Sequence, residues 1–143
     1  MIILDTNVLS ALMTEPADAA VVAWLDRQAR ISMWTTSITV LEISFGLATM
    51  ADGRRRSARL SAFRRLIDEK LEQRVATFDQ DAAEAAAVLM ASRRAAGKGG
   101  DLRECMMGGI VVARRAAFAT RNVKHFSDIA VNVINPWEAV GAE

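Results

Sequence analysis

The sequence has one cysteine and one histidine. Cys105 alone can form neither an intrachain disulfide nor a cysteine-rich zinc site, which fits a reducing cytosol. His125 alone excludes a multi-histidine metal site. Any Ser-His-Asp or Cys-His device would have to use that one position. There is no run of 18 apolar residues, the length a membrane-spanning helix needs. The apolar start has no basic segment before it and is interrupted by Asp5, so no window reads as a signal peptide. A cytoplasmic location is therefore expected. With a net charge of +1 there is no global basic field, and no aromatic stacking platform for nucleic-acid bases is readable.

What the chain does have is core material. Its 143 residues fit one domain over 1–143, and 52% of them are hydrophobic, enough to build a core without disulfides. Basic residues are unevenly spread. Arg54, Arg55, Arg56, Arg59, Arg64 and Arg65 lie in one region, and Lys98, Arg103, Arg114, Arg115, Arg121 and Lys124 in the last third. Local patches of this kind can hold phosphates without raising net charge.

Ile2-Ile3-Leu4 is a short unbroken apolar run, as in a parallel strand buried on both faces. It stops at Asp5-Thr6-Asn7, which puts a carboxylate at the carboxyl end of a strand, the edge where open α/β sheets bind ligands. Thr6 or Asn7 can cap a helix over Val8–Met13, and Asp5 can itself be read as a cap. A second helix starts at Ala17 or Asp18 and runs to about Ala29. Ile31–Trp34 reads as a second strand and Thr35-Thr36-Ser37 as N-cap candidates for a third helix. Ile38, Leu41, Phe45 and Ala48 share one face of that helix, and Gly53 suits its C-terminal cap.

From Arg54 to Gln73 an amphipathic stretch carries Leu60, Phe63, Ile67 and Leu71 in a stripe. Val75–Phe78 is a third strand, and Asp79 to about Ala96 an alanine-rich helix. After the loop Gly97–Gly100, Asp101 to about Arg115 is helical, Ala117–Thr120 is a strand, and Val131–Ile134 is the last. Pro136-Trp137 closes the core. Strands alternating with helices predict an α/β sandwich with a mostly parallel sheet of four or five strands.

The candidate site is built from acids. Glu42 lies near the amino end of a strongly apolar helix, where the dipole favours an anion and where burial without a partner is costly. Asp101 and Glu104 stand at N-cap and N3 of another helix. This is close to a capping box, yet one acid can cap while the other reaches the sheet edge. Gly108-Gly109 inside this helix costs about 1 kcal/mol per residue against alanine, which suggests close approach to a neighbouring element. Asn122 follows a strand as Asp5 does, and its amide oxygen can ligate a hard cation. Each position also has an ordinary reading as a cap, a turn or a solvated residue. Together they lie at strand C-termini or helix N-termini of one sheet. Clustered carboxylates repel one another unless a cation neutralises them. Mg²⁺ or Mn²⁺ would do so, activate a water, and stabilise charge developing on a phosphate.

Four stretches carry a family resemblance: Ile3-Leu-Asp-Thr-Asn-Val-Leu-Ser10, Ser37-Ile-Thr-Val-Leu-Glu-Ile-Ser-Phe-Gly46, Ala119-Thr-Arg-Asn-Val-Lys-His-Phe126 and Val133-Ile-Asn-Pro-Trp137. In order and spacing the chain resembles the PIN-domain ribonucleases, and within them the VapC/FitB-type toxins of type II toxin–antitoxin systems. The resemblance covers nearly the whole chain and implies a single PIN domain over 1–143, a three-layer α/β/α sandwich. It puts the family's four site positions on Asp5, Glu42, Glu104 and Asn122, as metal ligands and catalytic residues, with Thr6 as the hydroxyl beside the metal. An acid that some relatives carry just before the phenylalanine of the third stretch, Phe126, is replaced here by His125.

The activity implied is a Mg²⁺- or Mn²⁺-dependent endoribonuclease toxin that hydrolyses RNA phosphodiester bonds with metal-activated water. The partners implied are RNA, a cognate small DNA-binding antitoxin of the VapB/FitA kind, and a second copy of the chain in a homodimer. The antitoxin would insert a basic side chain among the carboxylates, and Leu60–Leu71 would be a natural surface for its helix. Two departures bear on activity. Glu104 is one methylene longer than the usual aspartate, a shift of about 1.5 Å. Asn122 and His125 leave the fourth position without a fixed negative charge, which favours one cation over two. A catalytically impaired PIN-fold protein that binds RNA or antitoxin is the alternative reading.

Overall fold

The computed structural model describes residues 1–138. Strands β1 (Ile2–Leu4), β2 (Met33–Thr36), β3 (Val75–Ala76), β4 (Ala117–Ala119) and β5 (Val133–Ile134) form one sheet in the order β3-β2-β1-β4-β5. Every pairing is parallel. The helices are α1 (Thr6–Met13), α2 (Ala19–Asp26), α3 (Ser37–Ala48), α4 (Arg54–Arg65), α5 (Gln80–Ala95) and α6 (Leu102–Arg114). None is long and apolar enough to cross a membrane.

The three layers follow from strand alternation. Ile3 and Phe118 are register partners and point to one face, into a core with Ile110, Val111 and Phe126. Leu4 and Ala119, the next pair, point to the other, into a core with Val8, Leu9, Trp24 and Ile43. Helices α5 and α6 cover the first face, and α1, α2, α4 and most of α3 the second. Since β1 and β4 are adjacent, their carboxyl ends sit side by side, and the Asp5 amide bonds the Ala119 carbonyl at 2.9 Å.

Several boundaries differ from those the sequence suggests. Residues Arg30–Ser32 form a 3-10 turn and the strand begins two residues later, at Met33. Ile31, expected inside the strand, is 78% exposed. Thr35 and Thr36 are strand residues, and only Thr36 caps α3, accepting from the Thr39 amide. Gly53 is not the C-cap of α3, which ends at Ala48 with Thr49 as its cap. It takes the N-cap position of α4 with φ 149°, where a side chain would be strained. The stripe Leu60–Leu71 is interrupted by a π turn over Leu66–Lys70. Phe63 and Leu71 are buried while Leu60 is exposed. Trp137 does close the second core, donating from Nε1 to Asp18 Oδ2 at 3.1 Å beneath the Arg121 guanidinium.

Candidate active site

The carboxyl edge of β1 and β4 opens into a cleft of about 420 Å³, lined by Asp5, Thr6, Glu42, Asp101, Glu104 and Asn122 among others. All five site residues expected from the sequence therefore lie around one cavity. They arrive there by different routes. Asp5 is the residue after β1 and also caps α1, taking the Thr6 amide on Oδ1 at 2.7 Å. The cap is Asp5 itself, not Thr6 or Asn7, which are already helical. Its second oxygen accepts from the Thr120 hydroxyl at 2.7 Å and from Asn7 Nδ2 at 3.3 Å.

Glu42 is half-buried on α3 and accepts from the Thr6 hydroxyl at 3.1 Å. Thr6 in turn lies 3.0 Å from the Thr39 hydroxyl. A hydroxyl has one proton, so the order is Thr39 to Thr6 to Glu42. Thr6 thereby ties α1 to α3.

At α6 the two acids divide the work. Asp101 caps the helix through the Arg103 amide at 2.8 Å. Glu104 closes no capping box. Its Oε1 lies 3.4 Å from Arg93 Nη1 and its Oε2 lies 3.2 Å from His125 Nδ1. Asn122 is exposed at the rim, its backbone N–H donating to the Thr120 hydroxyl at 3.0 Å.

Burial dominates the electrostatics of Asp5, which is 8% exposed. Loss of solvation pushes its pKa above the ordinary value of 3.8, the hydrogen bonds from Thr120 and Thr6 pull it back, and the carboxylates of Glu42 and Glu104 push it up again. Asp5 thus feels both neighbouring carboxylates. Among the described residues no three His, Cys, Asp or Glu side chains group closely enough to hold a metal ion as they stand.

Two residues here were not singled out from the sequence. Thr120 is fully buried and bonds Asp5, Asn7 and Asn122 together. Its signal was a hydroxyl two residues before Asn122 at the strand end. Arg93, 5% exposed, sits behind Glu104. Its signal was its phase, because Ala82, Ala86, Leu89 and Arg93 form the buried stripe of α5. Replacing Thr120 with valine keeps the shape and removes the hydroxyl. The Asn122 amide then loses its acceptor and Asp5 a donor, at a cost of about 2 kcal/mol. Calorimetry should show Tm lower by roughly 4–8 °C.

The PIN-domain family profile matches residues 2–132. The chain belongs to the PIN-domain family. Within that family it is 38% identical over 138 residues to VapC ribonuclease Y4jK of Sinorhizobium fredii, covering 96% of this chain and 99% of that protein. It is 35% identical to the plasmid stability protein StbB of Pseudomonas syringae pv. tomato, over 97% and 100% of the two chains. Among solved structures, a chain of FitAB bound to the IR36 DNA fragment aligns with a TM-score of 0.85 at 28% identity, covering 96% of both chains. The PIN fold anticipated from the sequence, with its parallel five-stranded sheet, is thus the fold observed.

Proposed function

We propose that this PIN-domain protein is a cytoplasmic endoribonuclease toxin, active as one PIN domain per chain and as a homodimer, that hydrolyses RNA phosphodiester bonds at the cleft around Asp5. The observation that carries the reading is the convergence of Asp5, Glu42, Glu104 and Asn122 on one cavity at the carboxyl edge of the sheet. Similarity to a VapC ribonuclease supports the chemistry.

The donor set suits a hard cation. The cleft offers carboxylate and amide oxygens, and the carboxylates of Glu42 and Glu104 make ionised Asp5 costlier, a cost that a cation would relieve. Mg²⁺ is commonly held through one or two carboxylates with retained waters, so a closed three-acid cage is not required. Asp5 and Glu104 would hold Mg²⁺ or Mn²⁺, with Glu42 and Asn122 completing the set. When bound, the cation would supply an activated water and charge stabilisation at the phosphate.

The chain's own residues prepare the rest. Thr120 and the Thr6 amide fix both oxygens of Asp5, so its orientation is set before substrate arrives. The Thr39–Thr6 relay fixes one oxygen of Glu42.

The control partner is a small DNA-binding antitoxin of the VapB/FitA kind. The similarity to a chain of FitAB bound to DNA supports this. An apolar groove of about 620 Å³ between α3 and α4, lined by Leu47, Leu60, Phe63 and Ile67, is a surface for its helix.

One observation favours the impaired binder as a second reading, namely that both oxygens of Glu104 already have partners within the protein. A defined RNA panel incubated with Mg²⁺, Mn²⁺ or excess EDTA separates the two. The toxin reading expects cleavage that falls at least about 10²-fold on chelation, since metal stabilisation is worth several kcal/mol. RNA bound but uncut in every condition establishes the binder.

A further inference from the structure

Arg93 is almost wholly buried near the end of α5, and each of its N–H groups is used. Nε donates to Asp128 Oδ2 at 2.9 Å. Nη2 donates to Asp128 Oδ1 at 3.1 Å and to the His125 carbonyl at 2.6 Å. Nη1 faces Glu104 Oε1 at 3.4 Å and Cys105 Sγ at 3.7 Å. The Phe126 ring packs 5.8 Å from the guanidinium carbon. Five donors in a planar fork on five acceptors hold one geometry, and only arginine presents that fork.

The contacts join two pieces of the site that the backbone does not join directly. Glu104 and Cys105 belong to the first turns of α6. His125, Phe126 and Asp128 belong to the 3-10 turn Val123–Phe126 and the residues after it, immediately beyond Asn122. Asp128 neutralises the guanidinium as a bidentate partner, and its carboxyl is held below the ordinary range by the hydrogen bond from Arg93. What remains for Glu104 is one directed N–H, which constrains one carboxylate oxygen while Oε2 meets His125.

We infer that Arg93 is a positioning residue for the active site, locking Glu104 to the Asn122–His125 turn, and that residue 104 is glutamate because its length reaches Arg93 and the cleft together. This rests on the metal-dependent reading of the cleft. It also reverses the meaning of the extra methylene. At 3.4 Å the contact is near the limit of a hydrogen bond, so an aspartate about 1.5 Å shorter cannot serve both ends.

Charge-preserving variants isolate geometry from field strength. Mn²⁺ binding is measured by isothermal titration calorimetry for the full chain and for Arg93→Lys, Glu104→Asp, the double variant and the exposed neighbour Arg94→Lys. Loss of an outer partner of a metal ligand typically costs 10–100-fold in affinity. Arg93→Lys and Glu104→Asp should each weaken Mn²⁺ binding by that factor, and the double variant should be no weaker than the worse single, because both break one arrangement. Arg94→Lys should match wild type. Melting curves separate misfolding from lost positioning, and Glu104→Asp tests the same geometry without touching the buried guanidinium. Wild-type affinity in folded Arg93→Lys, tighter binding by Glu104→Asp, or additive losses would each overturn the inference while leaving the metal reading in place. Absence of Mn²⁺ binding by the wild-type chain would overturn both.

Discussion

Replacing Asp5 with asparagine is expected to abolish RNA cleavage and, separately, to change how stability depends on pH. The catalytic loss follows from position. Asp5 is the most buried acid of the cleft, and both its oxygens are already oriented by hydrogen bonds. Asparagine keeps the volume but removes the charge that would hold a divalent cation. A loss of several kcal/mol of charge stabilisation corresponds to about 10³-fold or more in rate. Cleavage within tenfold of wild type would remove Asp5 from the mechanism.

The pH effect has a definite sign. Burial raises the pKa of Asp5 in the folded state above the value of 3.8 it has when exposed. The folded chain therefore binds that proton more tightly than the unfolded chain. Below pH 3.8 the carboxyl is protonated in both states and costs nothing. As pH rises through the folded pKa, the charged form must be buried and stability is lost. Asparagine has no such charge. In EDTA, the Tm of Asp5→Asn minus that of wild type should increase from pH 3 towards pH 7 and then level off. A difference flat in pH would show that the charge is not destabilising in the fold. The residue proposed as central to catalysis would then carry no cost to stability, contrary to the usual exchange between the two.

The same residue shows how far the sequence could be read. Asp5 invited two readings, cap or ligand; the structure shows the cap on one oxygen, and leaves the other bonded to Thr120 at the cleft, where the proposed ligand role would act. The strand ends were legible because apolar runs stop there at polar residues. The start of β2 was less so. Ile31 looked like strand by hydrophobicity, while Thr35 and Thr36 looked like caps by chemistry. Their β-branched side chains suit a strand, and Thr35 settles its hydroxyl on the Leu4 carbonyl at 3.0 Å. Gly53 was legible as special backbone but not as to which helix it served. Arg93 was hidden because a charged residue on an alanine-rich helix is ordinarily solvated. Its burial depends on Asp128, 35 residues away, and no local pattern encodes that pairing.

Gly109→Ala tests the packing that places α6, and two principles disagree about it. Helix propensity alone favours alanine in mid-helix by about 1 kcal/mol. A Cβ at Gly109, however, would lie 2.4 Å from the Ala82 carbonyl oxygen and 2.8 Å from the Ala86 amide nitrogen. These are backbone atoms of α5, so no rotamer change relieves the clash and the helices must separate. Overpacking of this kind costs about 3 kcal/mol, which outweighs the propensity gain and leaves a net loss of about 2 kcal/mol, or roughly 4–8 °C in Tm. Gly46→Ala supplies the contrast. It is exposed on α3 with nothing within 4 Å, so propensity acts alone and stability should rise. Gly108 is intermediate, because its added Cβ would meet the Leu89 side chain at 2.7 Å, and that side chain can move. The consequence reaches the cleft. Glu104 stands at the start of the helix that Gly109 seats, and Arg93 stands on the helix that would be pushed away. Displacements near 1 Å at reacting groups cost about 10²-fold in rate. Gly109→Ala should therefore lose activity well below its own melting point, whereas Gly46→Ala should keep wild-type activity. If Gly109→Ala proves as stable and active as wild type, the close seating of α6 on α5 is not what sets the distance between Glu104 and Asp5.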